Sequence, residues 1–184
     1  MNPITIRLAT IEDLPAVRSI CLATCTDPDL LANPKILYLL FADFYLNEEQ
    51  GHCFVATENG QVVGYILSSF SQKKFAATLK AKYLPLIKKA DPHLYHLQHA
   101  LLFACHFWPV YPAHLHIDID PAYQQKGIGS RLMENLVATL RINHVKGVYL
   151  TVSKSHPQAI RFYRKQGFKT LRNWPGMYVL GKKL

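Results

Sequence analysis

The sequence predicts one α/β domain built on a mixed β-sheet of six or seven strands. Segments in which apolar and polar residues alternate, as in strands, are separated by segments in which apolar residues recur every three or four positions, as in helices. A short turn joins two of the alternating segments, which favours antiparallel pairing, and a helical segment joins two others, which favours parallel pairing. With 184 residues and a hydrophobic content of 49%, the chain is long enough for one sizeable core.

The first part of the chain is predicted to run strand, helix, helix, hairpin. Thr10, followed three residues later by Asp13, is typical of a helix N-terminus, and Asp27-Pro28-Asp29 ends that helix. Pro34 begins a second helix, and Asn59-Gly60 is typical of a tight hairpin turn because both residues tolerate positive φ. The predicted elements are a strand at 4–8, helices at 11–24 and 34–45, and strands at 53–57 and 61–67.

Residues 71–112 are predicted to be a helical insertion between the third and fourth strands. Two helices, at 75–89 and 93–107, are broken at Asp91-Pro92. Paired lysines lie on the first helix, and the second carries His93, His96, His99 and His106. A metal cluster is not favoured, because residues three and six apart do not converge on one point of a helix. A surface or partner-facing helix accounts for the histidines more simply.

The second part is predicted to run strand, helix, strand, helix, strand, strand. Asp120-Pro121 ends the fourth strand, because proline cannot continue the hydrogen-bonded ladder. Pro157 begins the last helix and Gly167 ends it. The predicted elements are a strand at 114–119, a helix that extends through 140, a strand at 147–152, the helix from 157, a strand from 168 and a strand at 177–181.

The loop at 124–131, between the fourth strand and the next helix, is predicted to bind phosphate groups. Gly127 and Gly129 let the backbone turn tightly and bring its N–H groups toward an anion, and the helix N-terminus adds roughly half a positive charge. The spacing of glycine and lysine in this loop excludes two common phosphate-binding motifs. The dinucleotide fingerprint requires a glycine where Leu132 stands, and the lysine of a P-loop would follow its glycine, whereas Lys126 precedes Gly127.

Composition narrows the class of protein further. The net charge is +9, but the basic residues are scattered in the sequence without a nucleic-acid motif, so nucleic acid is not expected as a partner and attraction of a phosphorylated cofactor accounts for part of the charge. No apolar run approaches about 20 residues and no secretory signal is apparent, so we expect a cytoplasmic protein without a membrane partner. The cysteines, which lack zinc or redox spacing and are expected to be reduced core thiols, are Cys21, Cys25, Cys53 and Cys105.

Three motifs resemble the GCN5-related N-acetyltransferases (the GNAT superfamily), and the match covers nearly the whole chain outside 71–112. They are Ile6-Arg7-x-Ala9-Thr10-x-Glu12-Asp13-Leu14, Gln124-x-x-Gly127-x-Gly129, and Ala159-x-x-Phe162-Tyr163-x-Lys165-x-Gly167-Phe168. The resemblance implies the GNAT fold, a central mixed sheet of six to seven strands covered by helices on both faces. More narrowly, residues 111–119 are similar to the acetyltransferase-like C-terminal domain of O-GlcNAcase and its bacterial relatives.

The resemblance implies that the protein moves an acetyl group directly from acetyl-coenzyme A, its co-substrate, to an amine. In the family, the strand before the loop splays from the next parallel strand, and the pantetheine arm pairs with the main-chain groups that this frees. The family often has asparagine where His156 stands, which is a departure. The residues implied in cofactor binding are Ile117, Ile119, Gln124, Gln125, Lys126, Gly127, Ile128, Gly129, Ser130, His156, Ala159, Phe162 and Tyr163.

Direct transfer needs a proton acceptor for the nitrogen and a donor for the leaving thiolate. Asp118 is expected to be the acceptor, with His116 second, and the resemblance implies that Tyr163 is the donor; no metal is expected. His114 and Asp120 share the face of His116 and Asp118, on a strand predicted to be central. Because such strands are covered on both sides, we expect this polar face to line the acceptor cavity.

The acceptor stays open, since a small-molecule amine, a peptide N-terminus and a protein lysine all fit an amine cavity. A monomer and a homodimer are both compatible with the sequence. Residues 71–112 do not match the family pattern, so we expect this part of the single domain, residues 1–184, to wall the acceptor side and set specificity. The alternative is a non-catalytic module that binds acetyl-coenzyme A or a partner protein without turnover.

Overall fold

The structure, a computed structural model, describes residues 3–49, 51–95 and 109–184. Its strands are β1 (Thr5–Leu8), β2 (Phe54–Glu58), β3 (Gln61–Ser69), β4 (Ala113–Ile119), β5 (Gly147–Ser153), β6 (Lys169–Trp174) and β7 (Met177–Lys183). They form one open sheet in the order β1-β2-β3-β4-β5-β7-β6. All neighbours are antiparallel except β4 and β5, which are parallel, so the predicted mixed sheet is confirmed.

Helices cover both faces of this sheet. They are α1 (Leu14–Thr24), α2 (Pro28–Ala32), α3 (Pro34–Phe41), α4 (Asp43–Glu48), α5 (Gln72–Thr78), α6 (Leu84–Ala90), α7 (Ile128–Ile142) and α8 (Pro157–Lys165). Helices α1 to α6 pack with Tyr65 and Leu67 of β3 in one apolar cluster, and α7 and α8 pack with Ile66 of the same strand in another. The alternation along β3 therefore separates the two layers.

The predicted start of the first helix is confirmed by its capping contacts. The Asp13 carboxylate accepts a hydrogen bond from the Thr10 backbone N–H at 2.9 Å and pairs with both terminal nitrogens of Arg7 at 2.7 Å. A single 3₁₀ turn, Ile11–Asp13, precedes α1. The contacts satisfy an N–H group that the helix itself cannot satisfy.

Two helix predictions between residues 25 and 48 were wrong in detail. Asp27 does not only end a helix: its carboxylate accepts from the backbone N–H groups of Asp29 and Leu30 and so begins α2. The single helix predicted from Pro34 is two helices, α3 and α4, which are separated at Ala42, a residue with φ of −128°. Apolar periodicity continues across this break, so the sequence pattern did not show it.

The predicted helical insertion between β3 and β4 is confirmed as far as residue 95, and most of the second helix predicted at 93–107 lies outside the described residues. The helix predicted at 75–89 is an unbroken helical run made of α5, a π-helical segment at Leu79–Tyr83 and α6. Asp91 accepts hydrogen bonds from the next N–H groups, where the break was predicted. Of the four histidines predicted on the second helix, only exposed His93 is among the described residues; His96, His99 and His106, with Cys105, lie outside them.

No helix among the described residues is long and apolar enough to cross a membrane. Cys21 and Cys53 are buried thiols, as expected, and Cys25 is partly exposed. Burial raises the pKa of the Cys53 thiol to about 12, so this cysteine is protonated at neutral pH.

Candidate active site

A split in the sheet between β4 and β5 is the central feature of the site. The two parallel strands pair only at Ala113 with Val148 and at His114 with Tyr149. Beyond these positions β4 continues to pair with β3 on its other side as far as Ile119. The edge of β4 that faces β5 is therefore free of strand pairing from Leu115 onward, as the resemblance implied.

The glycine loop lies at the end of this split and begins α7. Gly127 is the N-cap of α7 with φ of +78°, and Gln125 also has a positive φ of 61°. The first hydrogen bond within the helix runs from the Arg131 N–H to the Gly127 carbonyl at 3.2 Å. The N–H groups of the preceding residues, Ile128 to Ser130, have no acceptor within the helix, which is the arrangement that binds anions.

The two glycines have different surroundings. A Cβ atom on Gly127 would meet nothing within 4 Å, so it would project into the open space of the loop. A Cβ on Gly129 would lie 3.4 Å from the Phe162 ring and 4.0 Å from the Ile117 side chain. Gly129 therefore allows close packing of α7, α8 and β4, and the structure brings these three predicted cofactor residues together.

Several other predicted cofactor side chains contact the protein itself. Gln124 donates from Nε2 to the Ile119 carbonyl at 3.1 Å, and Ser130 accepts from Gln166 at 3.0 Å. The Lys126 ammonium lies 4.6 Å from the centre of the Tyr123 ring. These contacts order the loop and leave its backbone as the surface that could receive an anion.

Helix α8 brings two further predicted residues to the split. Tyr163 is buried and lies in the same apolar cluster as Phe162, with Ala159 at its edge. Burial, with a smaller contribution from the negative charge of Asp118, raises the pKa of the Tyr163 hydroxyl. His156, at the N-cap of α8, is hydrogen-bonded through Nε2 to the Thr26 hydroxyl at 2.9 Å.

Asp118, His116 and Tyr65 form a polar cluster on the face of the sheet that α1 covers. Asp118 pairs directly with Tyr65 of β3, and the Tyr65 hydroxyl donates to Asp118 Oδ2 at 2.5 Å. His116 Nε2 lies 3.0 Å from the same oxygen, without the alignment of a hydrogen bond. The side chains of His116 and Asp118 are 25% and 21% exposed, although the Nε2 atom of His116 is itself buried.

The charge of His116 is set by its neighbours. Burial opposes protonation, but attraction to the Asp118 carboxylate outweighs it and raises the pKa of His116 to about 10. The ring therefore carries a proton at neutral pH. Burial and the negative charge of Asp118 raise the pKa of Tyr65, so its hydroxyl stays protonated and acts as the donor to Asp118.

Two other residues of the predicted polar face have structural roles. His114 is buried between Phe75, Tyr45 and Tyr149, and burial lowers its pKa to about 3, which keeps it neutral. Asp120 accepts a hydrogen bond from the Ala122 backbone N–H at 2.9 Å and so shapes the turn. The expectation that all four residues line the acceptor cavity was therefore wrong for buried His114, and it stays a prediction for Asp120, which is partly exposed.

Sequence reasoning missed Tyr65, Cys21 and Phe41 at this site. Phe41 of α3 lies against the His116 ring at 5.1 Å between centroids. The thiol of Cys21, His116 and Asp118 offer ligand atoms within 4.8 Å of one another, a spacing that a metal ion could bridge. The proton that His116 carries at neutral pH opposes such ligation, because metal binding requires a neutral imidazole.

The raised pKa of His116 predicts a pH dependence of stability. In the unfolded chain a histidine has a pKa of about 6.5, so folding strengthens proton binding by His116. Its contribution to the free energy of unfolding is complete below pH ~6.5 and is lost as the pH rises toward 10. Urea unfolding of the parent and of His116→Gln from pH 6 to 10 should give a difference that shrinks with pH; parallel curves would contradict the assignment.

Tyr65 is predicted to position the Asp118 carboxylate. Tyr65→Phe keeps the ring in the core but removes the hydrogen bond that orients the carboxylate, so we expect the rate to fall roughly tenfold. The Michaelis constant for acetyl-coenzyme A should be unchanged. Tyr45→Phe, which removes a hydroxyl bonded to His114, is the control and should keep the parental rate; a parental rate in Tyr65→Phe would exclude a positioning role.

Comparison with known proteins gives consistent matches across the chain. A family model described as the acetyltransferase (GNAT) family matches residues 21–168. An N-alpha-acetyltransferase of Sulfurisphaera tokodaii is 28% identical over 157 residues, which are 83% of this chain and 77% of that protein. The crystal structure of SsHAT superposes with a TM-score of 0.87 at 29% identity and covers 98% of each chain. The PaiA N-acetyltransferase of Thermoplasma acidophilum, in complex with coenzyme A, shares the fold with a TM-score of 0.64, at 14% identity over 99% of each chain.

Proposed function

The chain belongs to the acetyltransferase (GNAT) family and is an N-acetyltransferase, and we propose that it transfers an acetyl group directly from acetyl-coenzyme A to an amine. One observation carries the proposal: the split between β4 and β5 has the glycine loop at one end and the Asp118 cluster beside it. An elongated phosphorylated thioester and an amine can therefore meet at the split from different sides.

Acetyl-coenzyme A is proposed to be held mainly by backbone groups of the protein, because the side chains at the split contact other parts of the chain. The N–H groups of residues 125–130 are available to the pyrophosphate, and the unpaired edge of β4 from Ile117 to Ile119 is available to the pantetheine arm. Gly129 lets Phe162 and Ile117 close around this position. A protein with the same fold, PaiA, forms a complex with coenzyme A, which supports a coenzyme A thioester as the ligand. His156, held by Thr26, is proposed to border the split rather than to bind the phosphates.

Asp118 is proposed to accept the proton of the amine. An amine must lose a proton as its nitrogen bonds to the acetyl carbon, and the acidity of the nitrogen rises as that bond forms. His116 is already protonated at neutral pH, so it is an ion-pair partner of the Asp118 carboxylate rather than a proton acceptor. Tyr65 fixes the same carboxylate from the opposite strand, which leaves one oxygen for the substrate.

Tyr163 is proposed to stabilise the sulfur as the carbon–sulfur bond breaks. A thiol has a pKa of about 8.5, and the pKa of Tyr163 is raised above that of an ordinary phenol, so complete proton transfer to the thiolate is unfavourable. A hydrogen bond from the hydroxyl to the thiolate is the favoured contribution. The proton taken up by Asp118 then returns to solvent.

The residues of the insertion are proposed to act on the acceptor side through α3 and α4. Phe75 of α5 packs edge-on against Phe44, and Lys82 pairs with Glu48 at 2.5 Å. These contacts hold the layer that places Phe41 against His116. We propose that residues 1–184 form one domain, in which 71–112 sets acceptor specificity without contacting the cofactor.

The test of the proposed function is an acetyl-transfer assay with an amine panel. The curated relative named an N-alpha-acetyltransferase supports peptide α-amines as the first acceptors, followed by lysine peptides and small polyamines. Thiol release should require both acetyl-coenzyme A and an amine, and mass spectrometry should find the acetylated amine. Tight binding of acetyl-coenzyme A without turnover on any amine would favour the non-catalytic module. The narrower resemblance to O-GlcNAcase relatives stays a prediction.

Tyr163→Phe is predicted to lower the rate of acetyl transfer on the order of 10²-fold, the low end for general acid catalysis. The ring is retained in its apolar cluster, so the melting temperature and the affinity for acetyl-coenzyme A should stay near those of the parent. Tyr178→Phe on β7 is a matched control for loss of a phenol hydroxyl. Full turnover in Tyr163→Phe would remove this hydroxyl from the mechanism, and a large fall in melting temperature would assign it to the core.

A further inference from the structure

The net positive charge of the chain comes from its last 50 residues. Ten of the 21 lysines and arginines lie in residues 135–184, and none of the 12 aspartates and glutamates does. This segment carries a formal charge of +10, whereas residues 1–134 carry −1. A surface formed by this segment attracts polyanions over long range.

Three of these cations meet in one groove on α8. The groove has a volume of about 320 Å³ and is lined by Lys154, Pro157, Ile160, Arg161, Arg164 and Tyr178, which we name the basic groove. Lys154, Arg161 and Arg164 are exposed. In the described part of the chain, none of the three forms an ion pair with a carboxylate. Helix α8 and the turn before it thus present all three cations beside Tyr178 of β7.

The aromatic ring of Tyr178 forms part of the groove between these cations. The Lys154 ammonium lies 5.0 Å from the ring centroid, and the Arg164 guanidinium carbon lies 6.0 Å from it. Pro157 and Ile160 add apolar surface to the lining. The groove therefore combines unpaired cations, an aromatic ring and apolar walls.

The basic groove is separate from the proposed acetyl-coenzyme A site. The two sites use opposite sides of α8, since Ala159, Phe162 and Gln166 lie about half a helical turn from Arg161 and Arg164. Phe162 contacts the glycine loop position, whereas the groove faces Tyr178 of β7. A ligand of the groove would therefore not compete for the backbone groups of the split.

We propose that the basic groove binds a single-stranded nucleic acid. Backbone phosphates meet Lys154, Arg161 and Arg164, and a base lies against Tyr178 and the apolar lining, the combination by which proteins bind single strands without sequence preference. An acidic peptide would satisfy the cations but would leave the ring and the apolar walls without a matching group. The proposal goes beyond acetyl transfer and departs from the expectation drawn from scattered basic residues.

The test measures fluorescence anisotropy of a labelled 20-nucleotide oligouridine with the full chain at 50 mM and 200 mM salt. Arg161→Glu/Arg164→Glu should weaken binding at least tenfold and lower the slope of log affinity against log salt by about two, because two phosphate contacts are lost. Lys35→Glu/Lys73→Glu carries the same change of net charge on two exposed lysines of the first 134 residues and should change affinity less than threefold.

Two further measurements distinguish the groove from general charge attraction. Tyr178→Leu keeps apolar volume but removes the ring, and it should weaken binding at least fivefold because stacking is lost. Polyglutamate of equal length should compete far more weakly than unlabelled oligouridine. Absence of binding by the parent at 50 mM salt, equal weakening in the two charge-reversal variants, or equal competition by polyglutamate would each overturn the proposal. Melting temperatures of all variants show whether each is folded.

Discussion

Asp118→Asn should lower the rate of acetyl transfer by at least ~10²-fold, the loss expected when a general base is removed. Asparagine retains the size of the side chain and can accept the hydrogen bond from Tyr65, but it has no negative charge to attract the ammonium and a very weak capacity to take its proton. The proposed cofactor contacts are main-chain groups of β4, so the dissociation constant of acetyl-coenzyme A should change less than threefold. Calorimetry and initial rates measure the two quantities separately.

Asp120→Asn is the matched control for this variant. Asp120 lies two residues further along, and its role is to accept a hydrogen bond from the Ala122 N–H, which asparagine can also do. The control should keep the parental rate. Equal losses in the two variants would show that the effect of Asp118→Asn is a general loss of negative charge near the split.

The pH–rate profile distinguishes Asp118 from His116 as the proton acceptor. If Asp118 accepts the proton, the parent has an acidic limb that disappears in Asp118→Asn. If His116 does, it must first lose its own proton, so the rate would rise until the pH approaches 10, the value to which Asp118 raises its pKa. In that case His116→Gln, and not Asp118→Asn, would abolish the limb.

The strand and loop that form the split could be predicted because several local signals agree there. Alternation, a proline stop and a glycine turn placed β4 at 114–119, within one residue of Ala113–Ile119. Helix ends were harder to predict where one residue belongs to two elements, because Asp27 follows α1 and also caps α2. The break at Ala42 was hidden because apolar residues continue at helical spacing on both sides of it.

Of the candidate site on this face of the sheet, the sequence allowed only the residues of β4 to be predicted. Asp118 and His116 were identified because they lie on one polar face of β4. Tyr65 was missed because it lies 53 positions before Asp118 and their contact depends on the register of β3 against β4, which no local pattern encodes. His114 has the same alternation as His116, but α4 and α5 place Tyr45 and Phe75 over it, so the tertiary packing decides its role.

Gly127→Val is predicted to weaken acetyl-coenzyme A binding at least 100-fold. The Cβ atom and methyl groups would occupy the open space beside the N–H groups of the loop, where the pyrophosphate is proposed to lie. Valine at a φ of +78° also strains the backbone, at a cost of roughly 1–2 kcal/mol or more. Gly176→Val separates backbone strain from blocking of the loop. Gly176 has a φ of +79° and equally open surroundings but lies in the β6–β7 turn.

Titration calorimetry of acetyl-coenzyme A into the parent, Gly127→Val and Gly176→Val tests whether the cofactor binds at the glycine loop. Gly127→Asn is added because asparagine tolerates positive φ, so a folded variant with a side chain in the loop is available even if valine unfolds the protein. We expect parental affinity in Gly176→Val and a loss of at least 100-fold in folded Gly127 variants. Parental affinity in a folded Gly127→Val and in Gly127→Asn would contradict the binding of acetyl-coenzyme A at this loop.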